Sequence, residues 1–123
     1  MAKNILVIDD DVLVRKSVEK LLKKEAYEVV SVESAHLAVE EIKKRKFDLV
    51  ISDIRMPGKN GIDAVKEIRS ILCRDLKDDL ALPIIFITGY AELGQELRAE
   101  KLGEVILKPF DLNNLLITIR EYL

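Results

Sequence analysis

Cysteine is almost missing from this chain: Cys73 is the only one in 123 residues. An intramolecular disulfide is therefore excluded, as is any metal cluster built on cysteine. An inert thiol in a reducing cytosol is the expectation. His36 is likewise the sole histidine. It falls on the polar side of a predicted helix, where a solvated side chain accounts for it better than a metal ligand or a phosphohistidine relay. No charge of one sign dominates, since 20 basic residues face 22 acidic ones for a net −2. There is thus no basic field to draw nucleic acid or anionic lipid. No apolar run approaches the ~20 residues that cross a bilayer, and Met1-Ala2-Lys3 leads directly into a strand-like run rather than a signal sequence. A soluble, cytoplasmic protein is expected. A nucleotide-binding reading lacks its loop, because neither G-x-G-x-x-G nor a Walker A motif follows the first strand-like run. No linker, low-complexity tract or internal repeat interrupts the chain.

What is present is a mixture suited to one globular domain spanning residues 1–123, with 49% hydrophobic and 34% charged residues. Asn4-Ile5-Leu6-Val7-Ile8 is a branched apolar run that stops at Asp9-Asp10-Asp11, the pattern of a strand buried on both faces. From Val12 to about Lys24 the period becomes helical, with Val14, Val18, Leu21 and Leu22 on one stripe and Arg15, Lys16, Lys20 and Lys23 on the other. Tyr27 to Val32 reads as a second strand. Ser34 then caps a second helix whose Ala35, Ala38, Val39 and Ile42 face inward.

Phe47 to Ser52 repeats the first pattern and also ends in acid, at Asp53, before the turn-rich Met56-Pro57-Gly58-Lys59-Asn60-Gly61. Val65, Ile68 and Leu72 mark a third helix. Pro83 opens a fourth strand, Ile84 to Ile87, which ends at Thr88-Gly89. A fourth helix, weakened by Gly94, runs from Ala91 to about Leu102. Val105-Ile106-Leu107 is a fifth strand, and Leu112, Leu115, Leu116 and Ile119 stripe a fifth helix. Such alternation demands a parallel sheet covered on both faces, because right-handed crossovers put the helices there. The fold class is therefore α/β, doubly wound, with five strands.

In such sheets the ligand site lies outside the carboxyl ends of the strands. The residues standing there are Asp9, Asp10, Asp53, Thr88 and Lys108. If the first and third strands are neighbours, the carboxylates converge and need a hard divalent cation such as Mg²⁺ to compensate them. The alternative is that acids at strand ends are merely solvated and favour the dipole of the next helix. Lys108 supplies an ammonium and Thr88 a hydroxyl, completing a set suited to phosphoryl transfer onto a carboxylate.

These residues resemble the receiver domains of two-component response regulators over essentially the whole chain. Ile5-Leu6-Val7-Ile8-Asp9-Asp10-Asp11 is similar to that family's acidic first strand, and Asp53-Ile54-Arg55-Met56-Pro57-Gly58-Lys59-Asn60-Gly61 to its phosphoacceptor motif. Thr88-Gly89 and Lys108-Pro109-Phe110 match its remaining signatures. The resemblance implies a flavodoxin-like (βα)₅ fold with strand order 2-1-3-4-5. It implies that Asp53 is phosphorylated and that Asp10, Asp53 and the Arg55 backbone carbonyl ligate Mg²⁺, Asp9 assisting through water. It further implies that Thr88 and Lys108 contact the phosphoryl group and that the Lys108-Pro109 bond is cis. Arg55 and Tyr90 stand where the family tunes phosphoryl lifetime, so slow autodephosphorylation is expected. The implied partners are a sensor histidine kinase or phosphotransfer protein and a downstream protein or effector domain. The output surface would be the fourth helix, fifth strand and fifth helix, in a monomer or a phosphorylation-dependent homodimer.

Two features depart from the family pattern. Val105 occupies the position where many receivers carry a switching Tyr or Phe, and Leu72 to Leu82 is extended. An aspartyl phosphatase or phosphotransferase is the rival enzymatic reading. Such enzymes usually carry a second acid two residues after the nucleophile, where this chain has Arg55. A docking-only pseudo-receiver would be expected to have lost the acceptor, the acids or the lysine, and all are present. Whether the domain acts alone or within a longer regulator stays open at this level.

Overall fold

Why the chain folds as it does is set first at β1 (Asn4–Ile8). Every residue from Ile5 to Ile8 is buried, so both faces of this strand need covering. In the computed structural model, residues 2–53, 66–67, 70, 82–88, 104–107 and 111–123 are described. They comprise β1, α1 (Val12–Lys24), β2 (Glu28–Val32), α2 (Ala35–Lys44), β3 (Leu49–Asp53), β4 (Ile84–Thr88), β5 (Glu104–Leu107) and a final helix (Leu112–Tyr122). Lys66, Glu67 and Ser70 are helical, in line with the third helix expected there. Its apolar markers Val65, Ile68 and Leu72, and the whole of the expected fourth helix, lie outside the described residues.

The five strands form one parallel sheet in the order β2-β1-β3-β4-β5. Strand residues alternate between two layers, as the period of two requires. Leu6, Ile8, Val50, Ile84, Phe86 and Val105 pack with Ala38, Val39 and Ile42 of α2. Ile5, Val7, Leu49, Ile51, Ile85 and Ile87 pack instead with Val18 and Leu22 of α1 and with Leu115 and Ile119 of the final helix. Full burial of each such side chain contributes roughly 1.5–3 kcal/mol. Phe86 is the largest fully buried one, and truncating it to alanine would cost about 3–5 kcal/mol.

The helices begin where side chains supply caps. Asp11, Ser34 and Asp111 each accept a backbone N–H from the first turn that follows. Helix α1 stops in a Schellman turn, in which the N–H of Ala26 reaches Lys23 O and that of Tyr27 reaches Leu22 O, both at 3.0 Å. Leu22 and Tyr27 then meet in the same apolar layer. No helix among the described residues is long and apolar enough to cross a membrane.

Boundaries differ from the sequence expectation in places with identifiable causes. β3 starts at Leu49 rather than Phe47. Asp48 occupies the entry instead, its N–H donating to Asn4 O at 2.7 Å and its Oδ2 accepting the Asn4 N–H at 2.8 Å, while Phe47 is buried in the α2 layer. Asp53 belongs to β3 and is in register with Ile87. Leu112, expected in the core stripe, is 38% exposed as the first residue of its helix. It lines a cavity of about 270 Å³ with Leu13, Val14, Ser17 and Val18 of α1.

Candidate functional site

Residues that leave the sheet at its carboxyl edge build the site. β1 lies beside β3 with Ile8 opposite Ser52, so the residues that follow each of these two, Asp9 and Asp53, stand at adjacent strand tips. Asp9 is still held to the sheet, its N–H donating to Val32 O at 3.0 Å, and is only 3% exposed. Asp10 is exposed and Asp53 half-buried. One carboxylate oxygen from each of Asp9, Asp10 and Asp53 lies within 4.8 Å of the other two. The sheet thus gathers acids that are distant in sequence, as expected if the first and third strands were neighbours. Like charges this close repel one another, and a bound cation would offset that repulsion. An all-oxygen carboxylate set of this kind suits a hard divalent ion.

Asp11, the third acid of the run, has a different task. Its Oδ1 accepts the N–H of Leu13 at 2.9 Å and of Val14 at 3.3 Å, and its own N–H donates to Asp9 Oδ1 at 2.8 Å. The N-terminal end of α1 therefore faces the acidic group, where the helix dipole favours negative charge.

Two further residues shape the site and were not singled out from the sequence. Arg15 looked like part of the solvated stripe of α1. It is half-buried, and its Nη1 donates to the Asp9 carbonyl oxygen at 3.0 Å. A signal was present: a cation near the start of a helix opposes the dipole, so it needs a local acceptor to hold it there. Ser52 looked like one more member of a buried strand. It is fully buried, and its hydroxyl donates to the Asp53 carbonyl oxygen at 2.9 Å.

Of the remaining expected site residues, Thr88 is the last residue of β4, its backbone in register with Leu107 of β5. Arg55, Tyr90, Lys108 and Pro109 lie outside the described residues, as does Cys73. Val105 is buried in the α2 layer. His36 is exposed on α2.

The model of the response regulator receiver domain matches residues 5–120. The chain belongs to that family. Receiver domains are the signal-accepting modules of two-component response regulators, and this one has their five-stranded sheet. The receiver is 33% identical over 122 residues to the transcriptional regulatory protein ZraR of Escherichia coli O157:H7, covering 98% of this chain and 26% of ZraR. It thus spans about a quarter of that relative's length. Among solved structures, the chemotaxis protein CheY4 of Vibrio cholerae is 29% identical, with a TM-score of 0.87 and full coverage of both chains. The response regulator TrrA of Thermotoga maritima, solved in complex with Mg²⁺ and BeF, is also 29% identical, with a TM-score of 0.82 over 98% of this chain and 99% of TrrA.

Proposed function

We propose that this receiver is a phosphorylation switch in which Asp53 takes a phosphoryl group from the phosphohistidine of a sensor histidine kinase or phosphotransfer protein. A carboxylate oxygen of Asp53 attacks phosphorus. The O–P bond forms as the P–N bond of the donor breaks, and the electron pair stays on the departing imidazole. Water later attacks the acyl phosphate, returning the carboxylate and inorganic phosphate. The domain acts on itself and turns over no external substrate. The observation that carries this reading is the convergence of Asp9, Asp10 and Asp53 within 4.8 Å at the sheet edge.

The donor chemistry fits Mg²⁺, which prefers a few carboxylates and keeps waters and phosphate oxygens as its other ligands. Asp10, Asp53 and the Arg55 backbone carbonyl would hold it directly, and Asp9 through water. When bound, it neutralises charge developing on the phosphoryl oxygens. Lys108 would pair with one of those oxygens and Thr88 would donate its hydroxyl to another. The complex of TrrA with Mg²⁺ and BeF supports Mg²⁺ as the cation.

Output follows from the same reading. The output surface would be the expected fourth helix, β5 and the final helix, and its partner either a downstream protein or an effector domain outside this chain. With Val105 buried in place of an aromatic residue, coupling would run through aliphatic packing or through the strand and loop itself rather than through a rotating aromatic ring. The setting is the cytoplasm, with no direct nucleic-acid or membrane contact.

Intact mass measured after treatment with acetyl phosphate and Mg²⁺ tests the proposal. Wild-type protein gains one phosphoryl group, whereas Asp53→Ala, or wild type with the metal chelated, gains none. Equal modification of Asp53→Ala would remove Asp53 from its role.

A further inference from the structure

We propose that Arg15 is a positioning residue for divalent-cation binding, acting through its grip on the Asp9 peptide. The inference rests on the reading of Asp9, Asp10 and Asp53 as the cation site. The Asp10 carboxylate is exposed, and no hydrogen bond from it to another described residue holds it in the cluster. The position from which it reaches the cluster is therefore set by the backbone on which it sits. The Arg15 side chain holds that backbone, beside the main-chain bond that any residue of the helix would make. Its guanidinium donates to the Asp9 carbonyl, which belongs to the peptide joining Asp9 to Asp10, at 3.0 Å. Its own N–H donates to Asp11 O at 2.9 Å. The Asp11 N–H closes the loop on Asp9 Oδ1 at 2.8 Å. The Arg15 side chain thus reaches back from the body of α1 to the peptide that joins Asp9 to Asp10.

Electrostatics and positioning predict opposite signs, which makes the role measurable. As a mere nearby positive charge, Arg15 would repel a divalent cation, and removing it would tighten binding. As the anchor of the Asp9–Asp10 peptide, its removal would let Asp10 swing out of the cluster and weaken binding. Partners that orient metal ligands from behind typically contribute 10–100-fold to affinity. The neighbouring Lys16 is exposed and provides a control with the same change of charge.

Isothermal titration of Mg²⁺ into wild type, Arg15→Met, Arg15→Lys and Lys16→Met, each first shown to be folded by circular dichroism, separates the cases. Arg15→Met should bind about tenfold more weakly, and Lys16→Met should stay within about twofold of wild type because exposed charges are screened. Arg15→Lys keeps the charge but loses the planar fork, and should also weaken binding. It carries the comparison if Arg15→Met does not fold. Binding by the Arg15 variants as tight as wild type, or tighter, overturns the positioning role while leaving the cation site intact. Failure of wild type itself to bind Mg²⁺ overturns the reading on which the role rests.

Discussion

The carboxylate of Asp11 accepts the backbone N–H of Leu13 at 2.9 Å. This bond assigns the last acid of the Asp9-Asp10-Asp11 run to helix capping and leaves the first two for the cluster with Asp53. Asp11→Ala should therefore lower stability by about 1 kcal/mol, and Asp11→Asn should restore most of it. Asp11→Asn should also keep Mg²⁺ affinity within about twofold, whereas Asp10→Asn should lose at least about tenfold. Urea denaturation and calorimetric titration read the two effects separately.

Ser52 and Asp53 make a second testable pair. The buried hydroxyl donates to the carbonyl that follows it in the chain, at 2.9 Å. Replacing Ser52 with alanine should cost about 1 kcal/mol of stability. It should also slow phosphorylation by acetyl phosphate, because the peptide carrying Asp53 loses a restraint. An unaltered rate in a destabilised Ser52→Ala protein would confine Ser52 to folding.

Ala26 holds a φ of 67°, a left-handed conformation that a Cβ makes costly by roughly 1–2 kcal/mol. It sits there because the Schellman turn ending α1 requires it. Ala26→Gly should raise stability by up to about 1 kcal/mol and the Tm by a few degrees, with no change in Mg²⁺ binding.

At the far end of the sheet from the acids, Tyr122 donates its hydroxyl to Glu104 Oε2 at 3.1 Å. Burial, with the hydrogen bond to Glu104 and the charges of Glu104 and Glu121, pushes the phenol above its usual 10.0. The sign follows directly. The neutral phenol stabilises the fold, fully so below pH 10.0, and that contribution is lost as pH rises through the higher folded value. With Tyr122 43% exposed, solvent screening keeps the effect small. Wild type should lose stability relative to Tyr122→Phe once the pH passes 10.0, as read by denaturation on either side of it. Absorbance titration should place the folded phenol above the unfolded one.

If Arg55 and Tyr90 screen the acyl phosphate from water, replacing both with small residues should shorten its half-life by about tenfold, roughly 1.4 kcal/mol of barrier. Decay of the phosphorylated mass over time measures it, and an unchanged half-life would dismiss their role.

Much of the fold was readable because strand and helix periods differ. β1 and the start of α1 fall where the switch from a run of apolar residues to a helical stripe puts them. The Ser34 cap is read from one residue type before a periodic stretch. Phe47 misled because burial and strand pairing are different properties, and its apolar side chain carries only the first. Leu112 misled because periodicity identifies a face but not how much of that face is covered in the first turn. At the site, acids at strand ends were legible from their position alone. Arg15 and Ser52 were not, because their roles lie in directed hydrogen bonds to particular backbone groups, which residue type does not specify.

What the chain's residues determined by themselves was the class of architecture. Apolar runs alternating with amphipathic helices have no other way to bury both faces of each strand. Only the tertiary structure decided that β1 pairs with β3 as well as with β2, and hence that Asp9 and Asp10 meet Asp53. Strand order depends on which helix layer each crossover packs against. That choice is settled by shape and contact across the whole core, and no local run of residues contains it.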